Sequence, residues 1–590
     1  MCLKPEFVSL LQNNDPPSES TILEVTESLK APLNELQGIE AEVQRLEELM
    51  ETMKTKRQGV QKIINDHNII LSPVRRLPPD VLHEIFFHCL PTHRNPVMKS
   101  SESPLLLTRI CSSWRYIALS SPQIWSKIHI PLPGDPSFSS GYGLITDENT
   151  LSKRRQRFAG VMRMRCDAVR TWLSRSGTCP LSLSVTYPGY YSGLQNSKDD
   201  ELVHEMFDIL LSFAGRWSDI DLSMPEDIYN KLQGNIIPDM FFSLNSLKAN
   251  LYQQYHANNH QSIPIRLLAA PNLRSITISA IQTTLQMTGS LVQPIWNHLT
   301  HITFASSTTD RYLLILLRQC PNLIFGKFLV ITSWPYEPIM DQEEVLLPHL
   351  ESLIINDSGA HETMAIVFNA IKAPALTKLA YQWSNQRTPE DNSAIPLPTP
   401  VIPLLENSTM INDLSLDGGL SSRDTEECLR RGGRVTHIIF GKPPPPNAPG
   451  HLFYPPLTDP DIIRPDLFDL RTLSIGPTHS ATMPPPMPRL EYLEAYQLSS
   501  LTDEDLLKLI ASRIEASKRG ETAALKSVKI YFQRRRQKDI TAEVSRLAKE
   551  AGIEVKLDLT YPPEGSKFFD RLSPSFGLTS NDCMWSSEMV

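Results

Sequence analysis

The residues in this 590-residue sequence that come nearest to a catalytic pattern are His83, Glu84 and His88. Two imidazoles flanking a glutamate are the material of a zinc-hydrolase helix. There, histidines four apart share one helix face, hold the ion and leave the carboxylate to activate water. These histidines are five apart, which turns them onto different faces where one ion cannot take both. Gly433 and the Gly441-Lys442 pair invite comparison with a phosphate-cradling loop. That loop requires glycine, four residues, then Gly-Lys and a hydroxyl residue, and here the glycines are eight apart. No Gly-x-Ser-x-Gly elbow occurs. The eight cysteines, Cys2, Cys89, Cys111, Cys166, Cys179, Cys320, Cys428 and Cys583, form no C-x-x-C pair, so they spell neither a zinc site nor a disulfide framework. They are expected to be mostly reduced, with Cys89 and Cys111 acting as small hydrophobes on apolar helix faces. The sequence nominates no catalytic residue, no metal ligand and no cofactor site, and the expected activity is binding.

Composition narrows what is bound. The net charge is −8 with a pI near 6.0, so no global basic field favours nucleic acid or an anionic membrane. The local basic runs Lys153–Arg157 and Arg534–Lys538 read as solvated or loop charges, or as contacts for an acidic partner. No apolar run reaches the roughly 18 residues of a membrane span. The opening MCLKPEFVSLLQNNDPP lacks the pattern of a cleaved leader, so a cytoplasmic or nuclear protein is expected. Hydrophobic residues make up 41% of the chain, enough for a large core, and 48 prolines against 25 glycines suggest many stiff turns.

Two segments stand out as elements that must be covered by something. In the first, LPPDVLHEIF, Pro78 and Pro79 preset a helix start and Asp80 complements its positive end. Val81, Leu82, Ile85, Phe86, Cys89 and Leu90 then form an apolar stripe too wide for a solvated helix. In the second, Ile110, Cys111, Trp114, Ile117 and Ala118 recur at helical spacing. Ser120, Ser121 and Pro122 interrupt the pattern, and Ile124 and Trp125 close it. Together these segments resemble the F-box, whose pattern is Leu-Pro-x-Glu-Ile-Leu, then Val-Cys-x-x-Trp, then Ser-Pro-x-Leu-Trp. Leu77, Pro78, Asp80, Val81 and Leu82 occupy the first part; Ile110, Cys111 and Trp114 the second; Ser121, Pro122, Ile124 and Trp125 the third, with Asp for Glu, Val for Ile and Ile for Val or Leu as conservative departures. The polar loop Pro91–Pro104 between them resembles that of fungal members. The resemblance implies a three-helix domain docking on a Skp-family adaptor, and through it on a cullin. Leu77, Pro78, Val81, Leu82, Ile85, Phe86, Ile110, Trp114 and Trp125 stand at adaptor-facing or F-box-core positions, a division the sequence leaves open.

On either side lie two further patterns. Leu29, Leu36, Val43, Met50 and Ile64 repeat as position a of a heptad with Ile39, Leu46, Met53 and Val60 at d; Arg57 interrupts a, and Pro32 the first d. Flanking charges are acidic early (Glu35, Glu40, Glu42, Glu47) and basic late (Lys54, Lys56). The seam is expected either to self-associate through residues 29–64 or to lie along the same chain, and to end before Ser72. Beyond Trp125, Leu-x-x-Leu-x-Leu units recur, led by Leu273, Leu299, Leu323, Leu350 and Leu376 at 24 to 27 residues, and later by Ile411, Val435, Leu470, Leu490 and Leu525. That period resembles degenerate leucine-rich repeats, without their turn asparagine. Intervals of 35 residues coincide with proline-rich insertions. Stretches near Leu183, Ile220 and Leu247 are expected to be the first repeats.

The expected architecture is α/β: a disordered stretch 1–20, a coiled-coil helix 21–72, a three-helix F-box 73–130, an irregular leucine-rich-repeat-like solenoid 131–560 and an unpacked tail 561–590. The resemblance implies a non-catalytic substrate-recognition subunit of a ubiquitin ligase. The alternative is an F-box scaffold without cullin. Its specificity is expected in the strand residues between the inward positions, among them Arg274, Ser275, Thr277, His301, Thr303, Glu351, Ser352, Lys378, Arg471 and Thr472.

Overall fold

The computed structural model describes residues 8, 10–11, 16–134, 136, 147–187, 197–234, 236–252, 265–280, 294–331, 344–358, 361–383, 400–417, 422–441, 469–476 and 485–561. The tail from 562 onward and most of residues 1–15 therefore lie outside the described residues. The chain divides into two compact units, 1–85 and 86–590.

The first unit is dominated by one helix, Glu19–Leu71, which starts two residues before the expected residue 21. Ser18 caps it by accepting from the Thr21 amide at 3.3 Å, and Ser72 with Pro73 ends it, since Pro73 cannot continue the hydrogen-bond ladder. Pro32 sits inside the helix at the cost of one backbone bond. No residue of the helix is buried. A 3-10 turn, Pro73–Arg76, leads into the helix Pro79–His88, whose start falls where the proline pair places it.

The second unit is a mixed α/β body built on one sheet of fourteen strands among the described residues, all parallel and in chain order. Most of its strands show the period-2 burial of a half-covered sheet. In Ser352–Asp357, for example, Leu353, Ile355 and Asp357 are buried, while Ser352, Ile354 and Asn356 face the other side. Strand Lys378–Trp383 repeats the alternation with Leu379, Tyr381 and Trp383 inward, paired Leu379 to Leu353 and Tyr381 to Ile355. The expected inward leaders Leu273, Leu299, Leu323, Leu350, Leu376 and Leu490 are at most 1% exposed. The helices between strands bury apolar faces of their own, as Leu313, Leu314, Leu316 and Leu317 of Asp310–Arg318 do.

The register across this sheet is held by a device the side-chain types do not announce. At nine of the strands, one carbonyl just before the strand accepts two consecutive amides from the next repeat. The Thr300 carbonyl takes the Ile324 and Phe325 amides, Ile324 takes Glu351 and Ser352, Glu351 takes Thr377 and Lys378, and Thr377 takes Asn412 and Asp413, all at 2.8–3.1 Å. The same double acceptance occurs at Asn245, Arg274, Asn412, Thr436 and Glu491. Threonine hydroxyls reinforce it, from Thr300 to Arg274, Thr377 to Glu351 and Thr436 to Asn412. A backbone ladder thus replaces the missing asparagines, and register slips occur only locally, as at Phe304/Ser307.

Four expectations need correction. The sheet begins earlier than expected, with Lys127–Pro131, whose alternating Ile128 and Ile130 are fully buried. The loop Pro91–Pro104 covers that edge strand: the His129 amide donates to Pro96 at 2.8 Å, and Asn95 bonds the Ser182 and Ser184 hydroxyls. An uncovered edge would template unwanted pairing. Arg94 grips Glu102 bidentately at 2.9 and 2.7 Å, and Glu102 accepts the Val97 amide, which holds the loop in shape. Second, Leu470–Leu473 forms a 3-10 turn and not a repeat strand. The Leu473 carbonyl is taken by the buried Arg513 guanidinium, the Ile475 amide by the Ser512 hydroxyl, and Arg471 by Asp505, so the segment's polar groups are used before a ladder can form. Strand His437–Phe440 pairs directly with Tyr492–Leu498. Third, the helix Ser112–Leu119 excludes Ile110 and Cys111. Cys111 is extended (φ −154°, ψ 170°), and its sulfur accepts the Trp114 amide as an N-cap. Fourth, Cys89 and Cys111 are exposed, not packed; among the described residues Cys166, Cys320 and Cys428 are the buried thiols.

Candidate functional site

The segment 77–125 comprises two α-helices, Pro79–His88 and Ser112–Leu119, with 3-10 turns at Leu107–Arg109 and Pro122–Trp125 in place of a third full helix. Its apolar residues separate by role. Leu82 and Phe86, one helical turn apart, are 5% and 0% exposed. The Phe86 ring lies 4.9 Å from that of Trp114, which is half-buried. Trp125 is wholly buried: its indole N–H donates to the Ala118 carbonyl at 2.8 Å, its ring meets Trp172 edge-on at 4.9 Å, and the Arg175 guanidinium covers it at 4.7 Å. These side chains are packing. Val81 and Ile85, turned away by one residue each, are 43% and 38% exposed, and Ile110 is 52% exposed. Pro78 is exposed and Leu77 half-buried. Leu106, Tyr116 and Leu119 are also exposed in the second unit, though the motif did not single them out. Such apolar exposure carries a hydration cost that covering it would remove.

The second candidate surface is the face of the sheet opposite the core, made by the alternate strand positions. Ser275, Thr277, His301, Thr303, Ser352 and Lys378 stand at such positions, consistent with their assignment from sequence. Arg274 and Glu351 lie just before their strands. With His298, Asn322 and His349 they line a polar groove of about 520 Å³. Arg471 and Thr472 leave the face, because their segment is a turn.

The densest chemistry on the face lies where sequence reading placed nothing. His437 stands between Asp413 and Glu494 on the neighbouring strands, with ring nitrogens 3.5 and 3.8 Å from their carboxylates. Lys529 lies 3.7 Å from Glu494 on its other side, and Tyr496 stacks on Tyr531 at 5.0 Å. The hydrogen bond to Asp413 raises the His437 pKa above its ordinary value, against the opposing pull of burial. The Tyr496 hydroxyl, also bonded to Glu494, is pushed up by burial first and by that carboxylate second. The strand alternation was the one signal that could have placed these residues in a row, since each sits next to an inward apolar position. The arrangement sets charges of alternating sign side by side on this face, with the buried Tyr496 ring packed against Tyr531.

Two sequence features resolve into structure. Gly441 has φ +77°, its amide donates to Leu416, and a Cβ there would meet the Tyr496 carbonyl at 3.0 Å, so it is a strand-ending glycine; Lys442 lies outside the described residues. Arg534 of the second basic run is only 9% exposed and pairs with Asp503 at 2.6 Å, while Lys538 pairs with Glu504. Among the described residues no helix is long and apolar enough to cross a membrane. No protein-family model matches this chain, and no curated protein is similar to it in sequence.

Proposed function

We propose that this chain is the substrate-recognition subunit of a Skp/cullin/F-box ubiquitin ligase, with the F-box-like segment docking on a Skp-family adaptor and the repeat region, read as a leucine-rich-repeat-like solenoid, holding a protein substrate. The chain itself then makes and breaks no bonds. It raises the effective concentration of a substrate lysine near the ubiquitin-charged partner. The observation that carries the reading is the ordered three-part motif from Leu77 to Trp125, in which one set of apolar residues is packed while Val81, Ile85 and Ile110 stay exposed. The outward strand positions, with polar, charged and aromatic side chains on a rigid sheet, supply the kind of surface that protein recognition uses.

The test is affinity purification of the full chain from its own cells. Recovery of a Skp-family adaptor together with a cullin is the expected result. Adaptor without cullin would move the reading to an F-box scaffold, and recovery of neither would overturn it.

A further inference from the structure

We propose that two copies of this chain pair through the helix Glu19–Leu71 as an antiparallel coiled coil, with Val43 facing Met53 and Met50 facing Leu46 of the second copy. The helix buries no residue, yet Leu36, Ile39, Val43, Leu46, Met50, Met53 and Val60, all 48–57% exposed, form one heptad seam. A seam of this kind is stable only when another covers it. The charges beside it decide the orientation.

In a parallel, in-register pair each g residue meets the e residue five positions on in the other chain. That would set Glu35 against Glu40 and Glu42 against Glu47, each twice, and would stack Arg57 on Arg57 in the core. Every charged e/g contact would be repulsive. In the antiparallel pair a residues face d residues, and e meets e while g meets g. Centring the seam brings Glu42 to Lys56 and Glu40 to Lys54 of the second copy, each twice. Leu49 then meets its own counterpart at the dyad, and Arg57 lies opposite Ile39. One like-charge contact remains, Glu47 against Glu47. Glu42 already holds Arg45 on its own helix at 2.7 and 2.8 Å, and both side chains stay exposed, so Lys56 of the second copy can join them. Acidic residues early and basic residues late in one seam are what an antiparallel homodimer requires.

The two orientations give opposite signs in one experiment on the full-length chain, sedimentation equilibrium of charge-reversal variants. The wild type is expected to be a dimer. Glu40→Lys with Glu42→Lys places lysines against Lys54 and Lys56 and should weaken the dimer by about tenfold, four attractive contacts having become repulsive. In a parallel dimer the same change would set the two introduced lysines against Glu35 and Glu47 and tighten it. Adding Lys54→Glu and Lys56→Glu restores every antiparallel contact with the charges exchanged, so the fourfold variant should recover wild-type affinity. It has the wild-type composition and also controls for loss of fold. A monomeric wild type, tightening by the first pair of changes, or no recovery in the fourfold variant would each overturn the proposal.

Discussion

Asp503→Ala tests how the carboxyl-terminal repeats are held, because the Asp503 carboxylate accepts four hydrogen bonds. It is completely buried at the first turn of helix Asp503–Lys518 and accepts from Arg534 Nη2 at 2.6 Å, the Gln537 and Lys538 amides at 2.8 and 2.7 Å, and the Tyr561 hydroxyl at 2.9 Å. Truncation leaves two amides and a guanidinium that is 9% exposed without their acceptor. Breaking a buried pair from one side costs about 3–5 kcal/mol, far above the roughly 0.5 kcal/mol of an ordinary surface change. Urea unfolding of the full chain should show a loss of that size for Asp503→Ala and a smaller one for Asp503→Asn, which keeps an acceptor. In an Arg534→Met background the Asp503→Ala loss should shrink, since the stranded charge is gone. The pH dependence has a definite sign. Burial pushes the Asp503 pKa up, but the bonds from Arg534, Lys538, Gln537 and Tyr561 together hold it below its ordinary value. The carboxylate's contribution is therefore complete above the unfolded value of about 3.9 and is lost as pH falls through the lower folded one. A loss under about 1 kcal/mol, or the same loss with Arg534 removed, would refute this reasoning.

Two other outcomes follow from the sheet and the thiols. Leu350→Ala should cost about 2–5 kcal/mol, whereas Glu351→Ala, which leaves the carbonyl ladder intact, should leave the melting temperature almost unchanged. Glu351→Pro removes the amide bonded to Ile324 and should destabilise far more than Glu351→Ala; equal effects of the two would remove the ladder from the account. Iodoacetamide should label exposed Cys89 and Cys111 in the native chain, while Cys166 and Cys320, pushed up to about 11 and about 12 by burial, stay unlabelled until urea unfolds it; mass spectrometry of the alkylated peptides reads this directly.

Apolar spacing made much of the fold legible. The helix end before Ser72 and Pro73 and the helix start at Pro79 follow from the prolines, and the inward residues of most repeats follow from the period of 2, because burial selects residue type at those positions. Where polar groups made the decision, the spacing misled. Leu470 and Leu473 are buried as the repeat pattern requires, yet Arg513, Ser512 and Asp505 take the polar groups around them and leave a turn. Cys111 matched a helical position but works as a cap. The ladder of doubly accepting carbonyls lies in the backbone, where residue identity leaves no trace. For the candidate site, the motif named residues but could not divide the packed from the exposed. Val81 and Leu82 are adjacent apolar residues in sequence, and only the fold shows one exposed and the other packed. His437, Asp413 and Glu494 come from three repeats, so no local spacing unites them.

The most direct test of the proposed receptor role is titration calorimetry of the purified full-length chain with a purified Skp-family adaptor. Wild type should bind, Val81→Glu with Ile85→Glu should abolish binding while the melting temperature holds, and Glu351→Ala, on the repeat sheet, should leave binding intact. Absence of binding by the folded wild type, or undiminished binding by the Val81/Ile85 variant, would contradict the account.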